Sequence, residues 1–155
     1  MERVKPTAES GRAALRAHAL ARAALARERY GPRLDWPAMQ RLLADGLIVR
    51  NPVEVCFRAA GLAAGEFACL EPQGERMSAG FRLVIDPRLA EQPQWLPLVV
   101  ACHLAWVNYG SAAGQQEAEL FGAALCGLPP EEYRRRLIEL SEFVARPEAP
   151  ERKGK

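Results

Sequence analysis

The chain has 155 residues, 49% hydrophobic and 26% charged, which excludes a disordered polypeptide and fits a single domain with a sizeable core. No apolar run approaches the roughly 20 residues that cross a bilayer, and no secretory signal pattern is visible, so we expect a cytoplasmic protein without membrane contact. The net charge is only +2 and residues 34–145 carry more acidic than basic side chains, which disfavours a dedicated nucleic-acid binder.

An alanine- and arginine-rich segment predicts a helix over residues 7–29, because it is rich in strong helix formers and contains no proline. Its leucines lie five residues apart and form no clean apolar stripe. Three interpretations therefore stay open: the segment packs through its alanines, serves a partner, or is partly frayed. We treat residues 1–33 as a basic N-terminal helix and as the expected surface for a protein partner.

A short helix is predicted over residues 36–44, with Asp35 as its N-cap. Alternating apolar and polar residues predict a strand at 53–57, and shorter apolar runs predict strands at 67–70 and 81–85. The connections between these strands are shorter than the roughly dozen residues that a parallel crossover needs. We therefore expect an antiparallel meander.

The remainder of the chain is predicted to be helical, with helices at 97–109, at 114–126 and from Pro130 onward. The fold class expected from these elements is α+β, a small antiparallel three-stranded sheet packed against a helical bundle, preceded by the N-terminal helix. Residues 34–145 form one domain in this interpretation. The polar residues 146–155 are predicted to be a disordered tail.

The helix predicted at 97–109 is apolar on all sides, which is typical of a helix buried in a core. It carries one histidine, His103. A buried imidazole is costly unless its ring nitrogens find hydrogen-bond partners. The pattern by itself therefore fits a core histidine bonded to a carbonyl or a carboxylate.

The order of elements around this helix is informative. A strand that ends in FRLVIDPRLA leads to the histidine helix, and the following helix carries the segment Glu117-Ala118-Glu119-Leu120-Phe121 and leads to Gly127-Leu128-Pro129. This arrangement resembles the minimal zincin fold, and most closely the ImmA/IrrE-like metallopeptidases. The resemblance covers roughly residues 35–130 and is most specific between Glu117 and Pro129.

Zinc hydrolysis on this scaffold needs two histidines one helical turn apart and a glutamate base between them. Carried over by the resemblance, the first histidine matches His103 and the third ligand matches Glu117. The catalytic glutamate position holds Leu104, and the second histidine position holds Val107. The resemblance therefore implies a degenerate site, with no catalytic residue and no resident cofactor.

Three functions follow from these residues and from the resemblance. The leading one is a non-catalytic, zincin-like domain with a protein-interaction or regulatory role, in which His103 and Glu117 form a buried histidine–carboxylate pair. An alternative is a residual metal-binding protein or metallohydrolase that holds zinc at His103 and Glu117. Weaker candidate ligands are Cys102, Asn108 and Glu119. A further alternative is a nucleic-acid-linked accessory protein that acts through the arginine-rich N-terminal helix.

Overall fold

The computed structural model describes residues 8–146, and within that range the chain forms five α-helices and one three-stranded sheet. The helices are α1 (Ala8–Tyr30), α2 (Trp36–Leu43), α3 (Leu96–Tyr109), α4 (Gln115–Cys126) and α5 (Pro130–Ala145). The strands are β1 (Val53–Phe57), β2 (Ala68–Pro72) and β3 (Phe81–Ile85). The mixed α+β class is confirmed. The predicted tail lies, apart from Arg146, outside the described residues.

The sheet is mixed, so the prediction of an antiparallel meander is wrong. Its strand order is β1–β3–β2, with β1 parallel to β3 and β2 antiparallel to β3. The prediction assumed that strands adjacent in the sequence also pair, whereas β1 and β2 lie on opposite sides of β3. Residues 58–80, which include β2, thus provide the long crossover that the parallel pair requires.

Helix α3 lies at the centre of the core. Its residues from Leu96 to Asn108 are buried apart from Trp106, as its apolar sequence predicts. It packs most extensively against α4 and also contacts α5, β2 and β3. No helix within residues 8–146 is both long enough and apolar enough to span a membrane.

Helix α1 packs against α4 through its alanines, as the first of the three interpretations of this segment proposes. Ala19, Ala23 and Ala26 are buried, and their spacing of four and three residues places them on one face of the helix. Small side chains allow the two helix backbones to approach closely. The N-terminal helix is thus packed on the rest of the fold along this face.

Helix α5 is fixed by Tyr133. The Tyr133 hydroxyl donates a hydrogen bond to the carbonyl of Leu98 at 2.6 Å, and its ring lies directly over Gly122 of α4. A side chain at Gly122 would occupy the space that the tyrosine fills. The buried stripe of α5 comprises Tyr133, Leu137, Leu140 and Val144.

Candidate functional site

His103 is buried on α3 and is held by backbone groups of two elements. Its Nδ1 lies 2.7 Å from the carbonyl oxygen of Val99 and 3.4 Å from Sγ of Cys102. The ring also forms a hydrogen bond with the backbone of Ala68 in the edge strand β2. The imidazole therefore links the central helix to the sheet.

The surroundings of His103 act on its pKa in opposite directions. Burial is the largest influence and lowers the pKa. The neighbouring Cys102 sulfur and the backbone groups of Val99 and Ala68 raise it, and the resulting pKa lies above the ordinary value of a histidine. Carbonyl acceptors at the ring favour the protonated form, because only that form donates from both nitrogens.

Glu117 has different partners, so the predicted His103–Glu117 pair is wrong. One carboxylate oxygen of Glu117 accepts from the backbone N–H of Gly114 at 3.1 Å, and the other lies 3.0 Å from Nη2 of Arg16 in α1. The Arg16 hydrogen bond and then the Gly114 N–H hold the pKa of Glu117 below its usual value. The carboxylate thus closes the first turn of α4 and anchors the N-terminal helix, which leaves His103 to its backbone partners.

The two positions that match the missing zincin residues are filled by hydrocarbon. Leu104 and Val107 are both completely buried on α3. Neither side chain can bind a metal ion or transfer a proton.

The weaker candidate ligands have structural partners. Cys102 is buried, with Sγ 3.5 Å from the carbonyl oxygen of Val99. Glu119 accepts from Gln115 at 2.9 Å and lies 3.7 Å from Arg134 of α5. Within residues 8–146, the structure brings together no group of three or more His, Cys, Asp or Glu residues suited to a metal ion.

Asn108 is part of a buried polar connection that was not predicted from the sequence. Its side chain accepts from the backbone N–H of Arg50 at 2.7 Å and donates to the carbonyl of Ile48 at 2.8 Å. Asn51 reciprocates by donating to the carbonyl of Val107 at 2.7 Å. The indicator in the sequence was an amide side chain in an otherwise apolar helix, since buried polar groups need partners.

A cavity of about 820 Å³ opens beside His103, between β2 and α3. This volume lies in the range of about 300–1,000 Å³ that is usual for ligand sites. The imidazole forms edge-to-face contacts with Phe67 and Trp106 there, at centroid distances of 6.3 and 5.5 Å. The lining is mostly apolar and includes Phe67, Leu70, Met77, Phe81, Trp106 and Leu137.

One side of the cavity is the outer edge of β2. The backbone N–H of Asp86 donates to the carbonyl of Phe67 at 2.9 Å, so these two residues form a hydrogen-bonded pair of the antiparallel ladder between β2 and β3. Hydrogen-bonded pairs alternate along such a ladder, so the odd-numbered residues of β2 bond to β3. The backbone groups of Ala68 and Leu70 consequently point away from β3. The His103 ring bonds to the outward-directed backbone of Ala68. Leu70 is the next residue of β2 whose backbone groups point away from β3.

The candidate site is therefore a cavity with an imidazole at one wall and a strand edge along another. Comparisons of the chain with protein-family models, with curated proteins and with solved structures find no match.

Proposed function

We propose that this chain is a non-catalytic, zincin-like domain that binds an extended, apolar segment of a partner protein. The segment lies along the outer edge of β2 and places an apolar side chain in the cavity beside His103. The observation that carries this proposal is the combination of an apolar cavity with outward-directed backbone groups at Leu70. An extended peptide satisfies both, because its backbone pairs with a strand edge while alternate side chains enter pockets.

The roles of the surrounding residues support binding without catalysis. His103 is engaged by Val99 and Ala68, and Glu117 is engaged by Arg16 and Gly114. A general base must reach the proton that it removes, and neither group is presented to the cavity with a partner suited to that task. The position of the catalytic glutamate is occupied by the hydrocarbon side chain of Leu104, which supports the same conclusion.

The partner surface in this proposal differs from the one that the sequence suggested. The N-terminal helix packs on α4 through its alanine face, and its exposed arginines, which include Arg12, Arg27 and Arg29, do not share one face. The cavities that border α1, at Arg12 and at Arg27, are lined by no described strand residue, whereas the cavity beside His103 lies against the edge of β2. We therefore place the protein-interaction site at β2.

Selection of random peptides from a displayed library against the full chain tests the proposal. The best peptide is then synthesised, and its affinity is measured for the wild type and two variants. Met77→Glu puts a charge on the apolar rim of the cavity, where Met77 is 40% exposed. Ile138→Glu is the matched control, since Ile138 is 52% exposed on α5 and does not line the cavity.

We expect Met77→Glu to weaken peptide binding by roughly tenfold or more and Ile138→Glu to leave it unchanged. Methylation of alternate backbone nitrogens of the peptide should also abolish binding, because strand addition needs those N–H groups. Selection that yields only peptides indifferent to Met77→Glu, or binding that survives methylation at every position, contradicts the proposal. The latter result would indicate an apolar small-molecule pocket instead.

A further inference from the structure

A second cavity, of about 780 Å³, is lined by three arginines from three different parts of the fold. Arg27 belongs to α1, Arg33 follows that helix, and Arg136 lies on α5. None of the described residues that line this cavity is acidic. We refer to it as the arginine cavity.

The guanidinium groups of the arginine cavity have unused donor capacity. Among residues 8–146, neither Arg27 nor Arg33 forms an ion pair. Arg136 uses its Nε for Glu132 at 3.2 Å. A guanidinium offers five N–H donors, so the other nitrogens of Arg136 still offer donors for a ligand.

The N-terminal end of α3 at this cavity also favours negative charge. Pro97 and Leu98, in the first turn of α3, form part of the wall, and the N-terminal end of a helix carries partial positive charge. The end of α4 lies here as well, but its carbonyls at Ala123 and Ala124 accept from the backbone of the residues that follow. The opposing partial charge is therefore reduced.

The remaining wall of the arginine cavity is neutral. Burial raises the pKa of the Cys126 thiol to about 12, so this group stays protonated and adds no negative charge. Pro32, Leu34 and Leu128 provide apolar surface. A ligand that matches this wall has an anionic end and an apolar body.

We infer that the arginine cavity binds an organic phosphate, with its phosphate held by Arg27, Arg33 and Arg136 and its apolar part against Pro32 and Leu128. Arginine suits phosphate because its planar fork donates two parallel hydrogen bonds to the oxygens. This site is separate from the cavity beside His103 and does not depend on the function proposed there.

Calorimetric titration of the full chain with ADP and with inorganic phosphate tests this inference. The test variant is the double substitution Arg27→Gln with Arg33→Gln. The matched control is Arg41→Gln, an exposed arginine of α2 that does not line the cavity. Circular dichroism of each variant establishes that the helical content is retained, and amide chemical shifts locate the bound phosphate.

We expect both probes to bind, with ADP tighter than inorganic phosphate because the apolar wall contributes. The double variant should weaken ADP binding by roughly tenfold or more, and Arg41→Gln should leave it nearly unchanged. Shifts should concentrate at the backbone amides of Leu98 and Gly127. The inference is wrong if neither probe binds at millimolar concentration, if both bind equally, or if Arg41→Gln weakens binding as much as the double variant does.

Discussion

The carboxylate of Glu117 and the imidazole of His103 each join two elements of the fold. Glu117 connects α4 to α1 through Arg16, and His103 connects α3 to β2 through Ala68. Both residues belong to types that often perform chemistry in buried sites. Here their hydrogen-bonding capacity is used for positioning, and the same holds for Asn108, which connects α3 to the segment before β1.

Among the described glycines, Gly122 is the one at which an added Cβ would make the closest contact. Alanine there gains about 1 kcal/mol of helix propensity over glycine. Its Cβ, however, would meet the hydroxyl and ring of Tyr133, with Cε1 only 2.7 Å away. Because Tyr133 is completely buried and bonded to Leu98, it cannot move aside freely. We expect Gly122→Ala to lower the free energy of unfolding by about 1–3 kcal/mol.

Gly11→Ala is the matched control for this prediction. Gly11 also lies in a helix, and a Cβ at that position meets nothing within 4 Å. This control should be neutral or stabilise the protein by up to about 1 kcal/mol, as measured by urea unfolding. Equal stability changes in the two variants would show that the contact with Tyr133 does not limit the packing of α5.

At the scale of elements, the alanine face of α1 determines how the N-terminal helix attaches. Ala26 is fully buried where α1 meets α4, and Ala24 lies on the exposed face of the same helix. Small residues at such a contact set the distance between helix axes, so a larger side chain there separates the helices or forces strain.

We expect Ala26→Leu to destabilise the protein by about 1–3 kcal/mol and to increase amide hydrogen exchange throughout α1. Ala24→Leu should leave both quantities nearly unchanged, since its side chain points into solvent. Hydrogen exchange followed by mass spectrometry distinguishes the two variants. Unchanged protection of α1 in Ala26→Leu would contradict close packing of α1 on α4 through the alanine face.

The elements were predictable where the pattern is local. Proline and glycine boundaries indicated the ends of α3 and α4, and the Asp35 side chain indeed accepts from the backbone N–H of Ala38 at 2.9 Å. The order of the strands was not predictable, because pairing partners depend on contacts distant in the sequence. The alanine packing of α1 was also hidden, since alanine contributes little to an apolar stripe.

The candidate site was predictable only in part, for a related reason. The apolar character of α3 correctly indicated that His103 is buried. Its partners could not be deduced, because backbone carbonyls such as that of Val99 are present at every position of a sequence. The Arg16–Glu117 contact spans 101 residues, and nothing in the local pattern of either residue identifies the other.

At the scale of the whole molecule, several carboxyl groups make stability depend on pH. Side-chain hydrogen bonds hold the pKa values of four carboxyl groups within residues 8–146 below their ordinary values, and these are Asp45, Asp86, Glu117 and Glu132. A carboxyl with a lowered folded pKa contributes stability that is fully present above its unfolded pKa. That contribution is lost as the pH falls through the folded pKa. The protein should therefore lose stability in acid, below the ordinary carboxyl range.

Glu117→Gln isolates the part of this effect that belongs to one carboxylate. It should lower the free energy of unfolding at neutral pH by roughly 1 kcal/mol, a modest amount because Arg16 is 37% exposed and solvent screens the pair. The difference from the wild type should shrink as the pH falls below the ordinary value of 4.5, because the unfolded chain takes up a proton at Glu117 before the folded protein does.

Urea unfolding at neutral and at acid pH measures this difference. Glu119→Gln is the control on the same helix, since its nearest cationic nitrogen lies 3.7 Å away, and it should produce a smaller loss. A difference between Glu117→Gln and the wild type that stays constant across this pH range would argue against a role for the ionised carboxylate.

The position of β3 between β1 and β2 has a consequence for the growing polypeptide on the ribosome. Of the three strands, β3 is the last to be synthesised and pairs with both of the others. A nascent chain that stops before Phe81 contains two strands and no partner for either, and exposed strand edges of this kind promote aggregation. Translation must therefore pass the middle of the chain before the sheet can begin to form.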